Sequence, residues 1–225
     1  MNVLSPSSPA DSSGGVRTPL DAPSSLGEDD FRSRLRRYRL ALALLIAAVV
    51  MLFIGFSSAY VVRRAIPTYD AASGAYSTSW EPLRLPGAIL SLSSCLLVSA
   101  SLAIEVARRK LRGFRYGNAR TESGSRLWLG VSLMLGTGFL LGQGIAWHGM
   151  AASGQLLSTG ARSAFFYVLT GTHALHVLVG VLAVLVIAVF RAPAPAGRLA
   201  VDLAAWYLHS MTLLWIYLVC FLLFA

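Results

Sequence analysis

The chain has 225 residues, of which 56% are hydrophobic and only 13% charged, with a net charge of +9 and a mean hydropathy of +0.64. A soluble domain of this length carries about a quarter charged residues, so the composition excludes an ordinary water-soluble protein. The excess of basic residues invites a nucleic-acid reading, but their distribution along the chain, set out below, assigns them to membrane topology instead.

Residues 1–30 are rich in Ser, Pro, Gly and Asp. Such a segment buries too little apolar surface to offset its ordering entropy, so a disordered cytoplasmic tail is expected. It does not read as a cleaved signal, because the first apolar block starts near residue 40 and is long enough to span a bilayer. Asp11, Asp21, Glu28, Asp29 and Asp30 argue against a mitochondrial transit peptide, a class poor in acids.

Five apolar blocks follow, at about Leu40–Val62, Gly87–Ala107, Leu127–Trp147, Ala164–Phe190 and Ala204–Ala225. Blocks of about 20 residues match a hydrocarbon core of ~30 Å at ~1.5 Å rise per residue. Backbone groups in lipid must be paired internally, so the blocks are predicted helices, and their length excludes a β-barrel. The expected fold is an all-α integral membrane bundle of five transmembrane helices over 31–225. Between the blocks, 63–86 reads as an outer loop with Pro67, Pro82 and Pro86. Residues 150–163 read as a short outer connection, and 191–197 as a Pro-rich inner turn that cannot continue a helix.

The basic residues sort by side. Fourteen lie just before the first block, between the second and third, and between the fourth and fifth; four (Arg63, Arg64, Arg84, Arg162) lie in the alternate loops; Arg17, far from any span, completes the 19. The positive-inside rule then places the N-terminus in the cytoplasm and the C-terminus outside. No internal repeat is visible, and five spans do not divide into the inverted halves common in secondary transporters.

Few side chains carry candidate chemistry. His173 and His176 lie inside the fourth block and, with Gly180, fall on one helix face at i, i+3 and i+7. Ionisable residues within a span are costly and default to a functional reading. His209 lies about five residues into the fifth block, within reach of the depth of His176; His148 sits at the opposite membrane depth from His209. A catalytic metal wants about three protein ligands with supporting carboxylates. Glu105 is the one carboxylate expected inside a span, so no metal site is predicted. Its placement before Arg108 and Arg109, at i+3 and i+4, reads as a helix-end ion pair. Gly138 and Gly142 form a GxxxG pair for close helix approach, and Trp147 and Trp215 read as packing or interfacial anchors. Cys95 and Cys220 belong to no ligand spacing and read as buried apolar thiols. No nucleophile elbow, P-loop, dinucleotide fingerprint or HExxH is present.

Residues 165–177, Phe-Phe-Tyr-Val-Leu-Thr-Gly-Thr-His-Ala-Leu-His-Val, followed by Gly180, resemble the hallmark of subunit III of the haem-copper terminal oxidases, in its short five-helix bacterial form. Ala174 stands where that family usually has a second glycine. Looser similarities are Phe53-Ile-Gly-Phe-Ser-Ser-Ala-Tyr60, Leu140-Leu-Gly-Gln143 with Ala146-Trp147, Tyr207-Leu-His209 and Trp215-Ile-Tyr217. They cover about residues 45–225 in the family's order. Three positions that are often acidic in the family align with Val49, Ala146 and Thr212, so roles carried by those carboxylates do not transfer.

The resemblance implies an accessory subunit with no catalytic centre and no redox cofactor of its own, the haem and copper residing in partner subunits. It implies contact with subunit I above all, with subunit II and a small subunit IV, and with bound phospholipid, in a hetero-oligomeric complex of the bacterial cytoplasmic membrane. The complex would reduce oxygen with electrons from cytochrome c or a quinol and pump protons. Residues expected to brace the bundle or meet lipid or neighbouring subunits are His173, His176, Gly180, His209, Gly138, Gly142, Trp147, Trp215 and Glu105. Alternatives from the sequence are an accessory subunit of a nitric oxide reductase system and, in another class, a small transporter with the histidine face lining a path.

Overall fold

The five apolar blocks form five helices. The computed structural model describes residues 24–70, 74–77, 87–112, 119–156, 160–190 and 194–224. The helices are α1 (Ser24–Ala65), α2 (Gly87–Arg112), α3 (Ala119–Ala152), α4 (Ala161–Val189) and α5 (Ala194–Phe224). Each contains a stretch long and apolar enough to cross a membrane, so the chain is a multi-pass membrane protein. The structure falls into two units, 1–38 and 39–225. The first contributes, among the described residues, the opening turns of α1. The second holds everything that follows.

Within the second unit α2 packs against α3 and α5, and α4 packs against the same two helices. Helices α2 to α5 therefore close a four-membered ring. Small residues allow the closest approaches. A Cβ on Gly142 would stand 2.6 Å from Ser93 Oγ, and one on Gly136 would stand 2.8 Å from Val181 Cγ2. Neither contact is tolerated by real side chains, so glycine is what lets α3 approach α2 on one side and α4 on the other. On the GxxxG pair, a Cβ on Gly138 would stand an ordinary 3.5 Å from Leu96 Cδ1.

Helix α1 joins the ring by long side chains. Phe53 meets the rings of His173 and His176, Tyr60 meets Phe165 and Phe221, and Tyr217 Oη donates to Ser57 Oγ at 3.0 Å. It is the most open helix: 17% of its apolar window is buried, against 33–44% for the other four.

The core runs the length of the ring. One cluster gathers Phe53, Leu97, Phe139, Phe166, Leu169, Val177, Met211, Trp215 and Leu218. The other, toward the end where α2 stops and α5 begins, gathers Ile104, Ala107, Leu129, Val184, Val201, Ala205 and Leu208.

Three sequence expectations are corrected. The tail drawn as disordered to residue 30 overlaps α1, which begins at Ser24. Residues 1–23 lie outside the described residues. The loop expected over 63–86 contains an antiparallel hairpin, β1 (Thr68–Asp70) with β2 (Ala75–Ser77), in the register Thr68↔Ser77, Tyr69↔Tyr76 and Asp70↔Ala75. Gly74, at φ +63°, supplies the left-handed residue beside the second strand; Pro82 and Pro86 lie outside the described residues. In the Pro-rich inner turn, α5 starts at Ala194, so Pro195 opens a helix rather than sitting in a turn. Its missing N–H costs nothing in a first helical turn.

The α3–α4 connection is tightly built. Gly154 is at φ +81°, Gln155 N donates to Met150 O, and Gly154 N donates to Ala151 O. These bonds make a Schellman cap on α3. Tyr167 Oη, from the first turns of α4, lies within hydrogen-bond distance of both Gln155 O and Trp147 O.

Candidate functional site

His173 occupies the centre of the ring and is fully buried. Its imidazole stacks on Trp215 of α5, with centroids 5.0 Å apart and 27° between planes. Phe139 of α3 stands edge-on at 6.0 Å and Phe53 of α1 at 6.2 Å. Trp215 is itself fixed: it meets Phe139 edge-on at 5.0 Å, and its Nε1 donates to Ser94 Oγ of α2 at 2.9 Å. All five helices thus meet around one imidazole and one indole. Edge-to-face and stacked pairs at these separations add stabilisation beyond the area buried.

His176, one turn further along α4, faces a different neighbourhood. Its ring is half-buried, its Nδ1–H donates to Thr172 O at 2.8 Å, and Phe53 lies 6.1 Å away. Phe53 therefore sits between the two histidines. Gly180 completes the expected face, where a Cβ would come within 3.1 Å of the Tyr207 ring. Tyr207 Oη donates to His176 O at 3.0 Å, so α5 closes on the same stretch of α4. Trp147 is half-buried near the far end of α3 and donates to Thr170 Oγ1 at 3.1 Å, a helix–helix bond rather than a purely interfacial anchor. His148 is exposed.

His209 makes its contacts with α2 rather than with His176. It is held at the other polar feature, a charged cluster where α2 ends and α5 begins. His209 Nδ1 pairs with Ser101 Oγ, and Nε2 lies 3.4 Å from Glu105 Oε2. Glu105 also pairs with Arg109 at 2.9 Å and Arg108 at 3.2 Å, the expected i+4 and i+3 partners. Asp202 of α5 is a second carboxylate here. It receives both oxygens' worth of bonds from Arg112 Nη2, at 3.0 and 3.1 Å, lies 3.4 Å from Arg108 Nε and 4.0 Å from Arg39 of α1. Arg108 is the hinge of this network, being, among the described residues, the one arginine near both carboxylates. Lys110 sits 5.6 Å over the Trp128 ring nearby.

The sequence placed Glu105 as the one carboxylate within a span. Asp202 corrects that, since the apolar stretch of α5 begins at Ala196. The signal was present as an acidic residue two positions before the fifth block, opposite a run of arginines. Phe139 was not singled out, and Phe53 entered only as part of a resemblance, because nothing in their spacing reveals which helices become neighbours. The three residues aligned with positions often acidic in the resembled family are all buried: Val49, Ala146 and Thr212, the last donating back to Leu208 O at 2.8 Å. Cys95 and Cys220, expected to be buried, are exposed on the helix surface. Among the described residues no three His, Cys, Asp or Glu side chains converge as a metal-ligand group.

Residues 27–225 match the family model described as Cytochrome c oxidase subunit III. The chain is 27% identical over 206 residues to cytochrome c oxidase subunit 3 of Synechocystis, an alignment covering 89% of this chain and 78% of that protein. It is 26% identical over 174 residues to a probable cytochrome c oxidase subunit 3 of Nocardia farcinica, covering 76% and 79% respectively. It is 27% identical over 183 residues to cytochrome c oxidase subunit 3 of the baboon Papio hamadryas, covering 80% and 66%.

Proposed function

Because the chain belongs to the cytochrome c oxidase subunit III family, and is thereby an accessory subunit of a terminal oxidase, we propose that it supports the oxidase without carrying a redox centre. Its partners are the catalytic subunit I above all, subunit II and a small subunit IV, and the haem and copper reside among the partner subunits. Electrons come from cytochrome c or a quinol. The N-terminus and the arginine-rich loops face the cytoplasm of a bacterial cell, and phospholipid occupies part of the exposed apolar surface.

The observation that carries this reading is the use the bundle makes of its polar side chains. Each histidine within the ring is engaged by the bundle itself: His173 by Trp215, His176 by Thr172 O, His209 by Ser101 and Glu105. Stacked or hydrogen-bonded in this way, the three histidines act as braces between and along helices, as in a scaffold. The open face of α1 and the outer faces of α2 to α4, with Leu44, Met51, Leu92, Met134 and Leu175 all more than half exposed, supply apolar surface for lipid and neighbouring subunits. By bracing the catalytic subunit and the lipid around it, the chain would sustain proton uptake and turnover.

The test is to isolate the chain from its native membrane in mild detergent, record a reduced-minus-oxidised spectrum and identify what co-purifies by mass spectrometry. Haem a- or o-type bands with a large, many-helix partner are expected. A colourless preparation containing this chain alone would overturn the reading and favour a small transporter. A variant with His173→Leu and His176→Leu is expected to lower the yield of assembled complex; unchanged assembly and turnover life would remove the bracing role.

A further inference from the structure

Gln143 is 1% exposed and His173 is 0% exposed, yet neither amide atom of Gln143 and neither ring nitrogen of His173 has a hydrogen-bond partner in the protein. Two complete polar groups are therefore buried without partners in one membrane-spanning ring. Buried polar groups in native proteins are paired, with protein or with ordered water, because an unpaired one carries its full desolvation cost.

The two groups lie at neighbouring levels. Phe139, Gln143 and Trp147 follow one another at i, i+4 and i+8 on α3, so they form one stripe. Phe139 meets His173 at 6.0 Å, and Trp147 bonds Thr170 at 3.1 Å. Gln143 is midway between those two contacts, and His173 and Thr170 are one turn apart on the facing helix. The amide thus falls between the levels of Thr170 and His173. The nearby hydroxyls are already committed: Thr170 Oγ1 donates to Phe166 O at 2.7 Å and accepts from Trp147, and Ser94 Oγ donates to Leu90 O at 2.8 Å and accepts from Trp215.

We propose that Gln143 and His173 form an internal water site, in which one or two water molecules between α3 and α4 bridge the amide to an imidazole nitrogen at the centre of the bundle. The chemistry suits water. A neutral imidazole offers one donor and one acceptor, the amide offers two of each, and a water supplies both roles at once. Two hydrogen bonds through one water span about 5–6 Å. Buried waters make about three hydrogen bonds to otherwise unsatisfied groups and behave as part of the structure. Here the water would fix the rotation of the His173 ring, and with it the stack on Trp215.

The test uses the intact oxidase complex containing this chain. A cryo-electron microscopy map at water-resolving resolution is expected to show density within hydrogen-bond distance of both the Gln143 amide and a His173 ring nitrogen. A direct amide–imidazole contact, or no density between them, overturns the proposal. Independently, thermal release of the chain is compared for Gln143→Leu, His173→Phe and the double variant. With the water site present, Gln143→Leu lowers the release temperature by a few degrees, and the double variant recovers part of the summed loss, because both ends of the bridge are gone together. If Gln143→Leu raises the release temperature, the amide was an isolated buried polar group and the water site does not exist. Strictly additive losses likewise overturn the bridge.

Discussion

Trp215 serves His173 in two directions at once: its face stacks on the imidazole at 5.0 Å, and its N–H is anchored to Ser94 on the neighbouring helix α2 at 2.9 Å. The pair therefore links α2, α4 and α5 through a single side chain. Trp215→Leu removes the stack, the edge contact with Phe139 and the Ser94 bond together. Large-to-small changes at fully buried aromatics cost about 3–5 kcal/mol, and this variant is expected to fall near the low end of that range because leucine refills part of the site. Thermal release of the chain from the purified complex checks it; a loss within experimental error would show that the aromatic centre does not hold the ring together.

The helix approaches predict a contrast between glycines. Gly136→Ala forces a methyl to 2.8 Å from the branched Val181 side chain, whose χ1 freedom is small. Overpacking of this kind costs about 1–3 kcal/mol. Gly130→Ala has nothing within 4 Å of the new Cβ and is expected to be neutral or to gain up to about 1 kcal/mol from helix propensity. Thermal melts of both variants in the same preparation decide the matter. Equal effects at the two positions would contradict the assigned packing.

The charged cluster predicts an asymmetry between its carboxylate centre and its exposed arms. The Asp202 and Arg108 side chains are 19% and 15% exposed, whereas Arg109 is 77% exposed. Asp202→Ala leaves Arg108 and Arg112 without their shared partner and is expected to cost about 1–3 kcal/mol, below the range for fully buried pairs because water reaches the rim. Arg109→Ala removes a surface pair, with a cost of about 1 kcal/mol or less. Denaturation of the two variants at low and high salt separates them, the Arg109 effect vanishing with salt and the Asp202 effect persisting in part.

The sidedness of the basic residues predicts accessibility. In a background with Cys95 and Cys220 replaced by serine, Ala152→Cys, at the exposed end of α3, should react with a membrane-impermeant maleimide on intact cells. Arg112→Cys, at the end of α2, should react only after permeabilisation. The reverse pattern would invert the topology.

The helices were legible because each apolar block is long enough to span a bilayer and lies between turn-forming or basic segments; the sequence therefore revealed all five. The packing was less so. Gly142 is visible as part of a GxxxG pair, but Gly136, whose contact with α4 is nearly as close, has no matching partner in spacing and is apparent only once Val181 is placed opposite it. His173 and His176 stood out as histidines within a span, yet their different environments depend on Phe53 and Phe139, apolar residues indistinguishable in sequence from those facing lipid. Asp202 was missed for a boundary reason: the helix extends beyond its apolar block, carrying a charge that arginines on α2 and α1 neutralise. The hairpin at 68–77 was hidden because three-residue strands carry no usable alternation.

The most direct test of the accessory role compares the complex with and without this chain, measuring haem and copper content per catalytic subunit and oxygen consumption over successive turnovers. The account predicts unchanged haem and copper stoichiometry, a near-normal initial rate, and a progressive loss of activity that restoring the chain prevents. Loss of a haem or copper centre in proportion to the chain removed would contradict it, because the chain would then be holding part of the redox machinery itself.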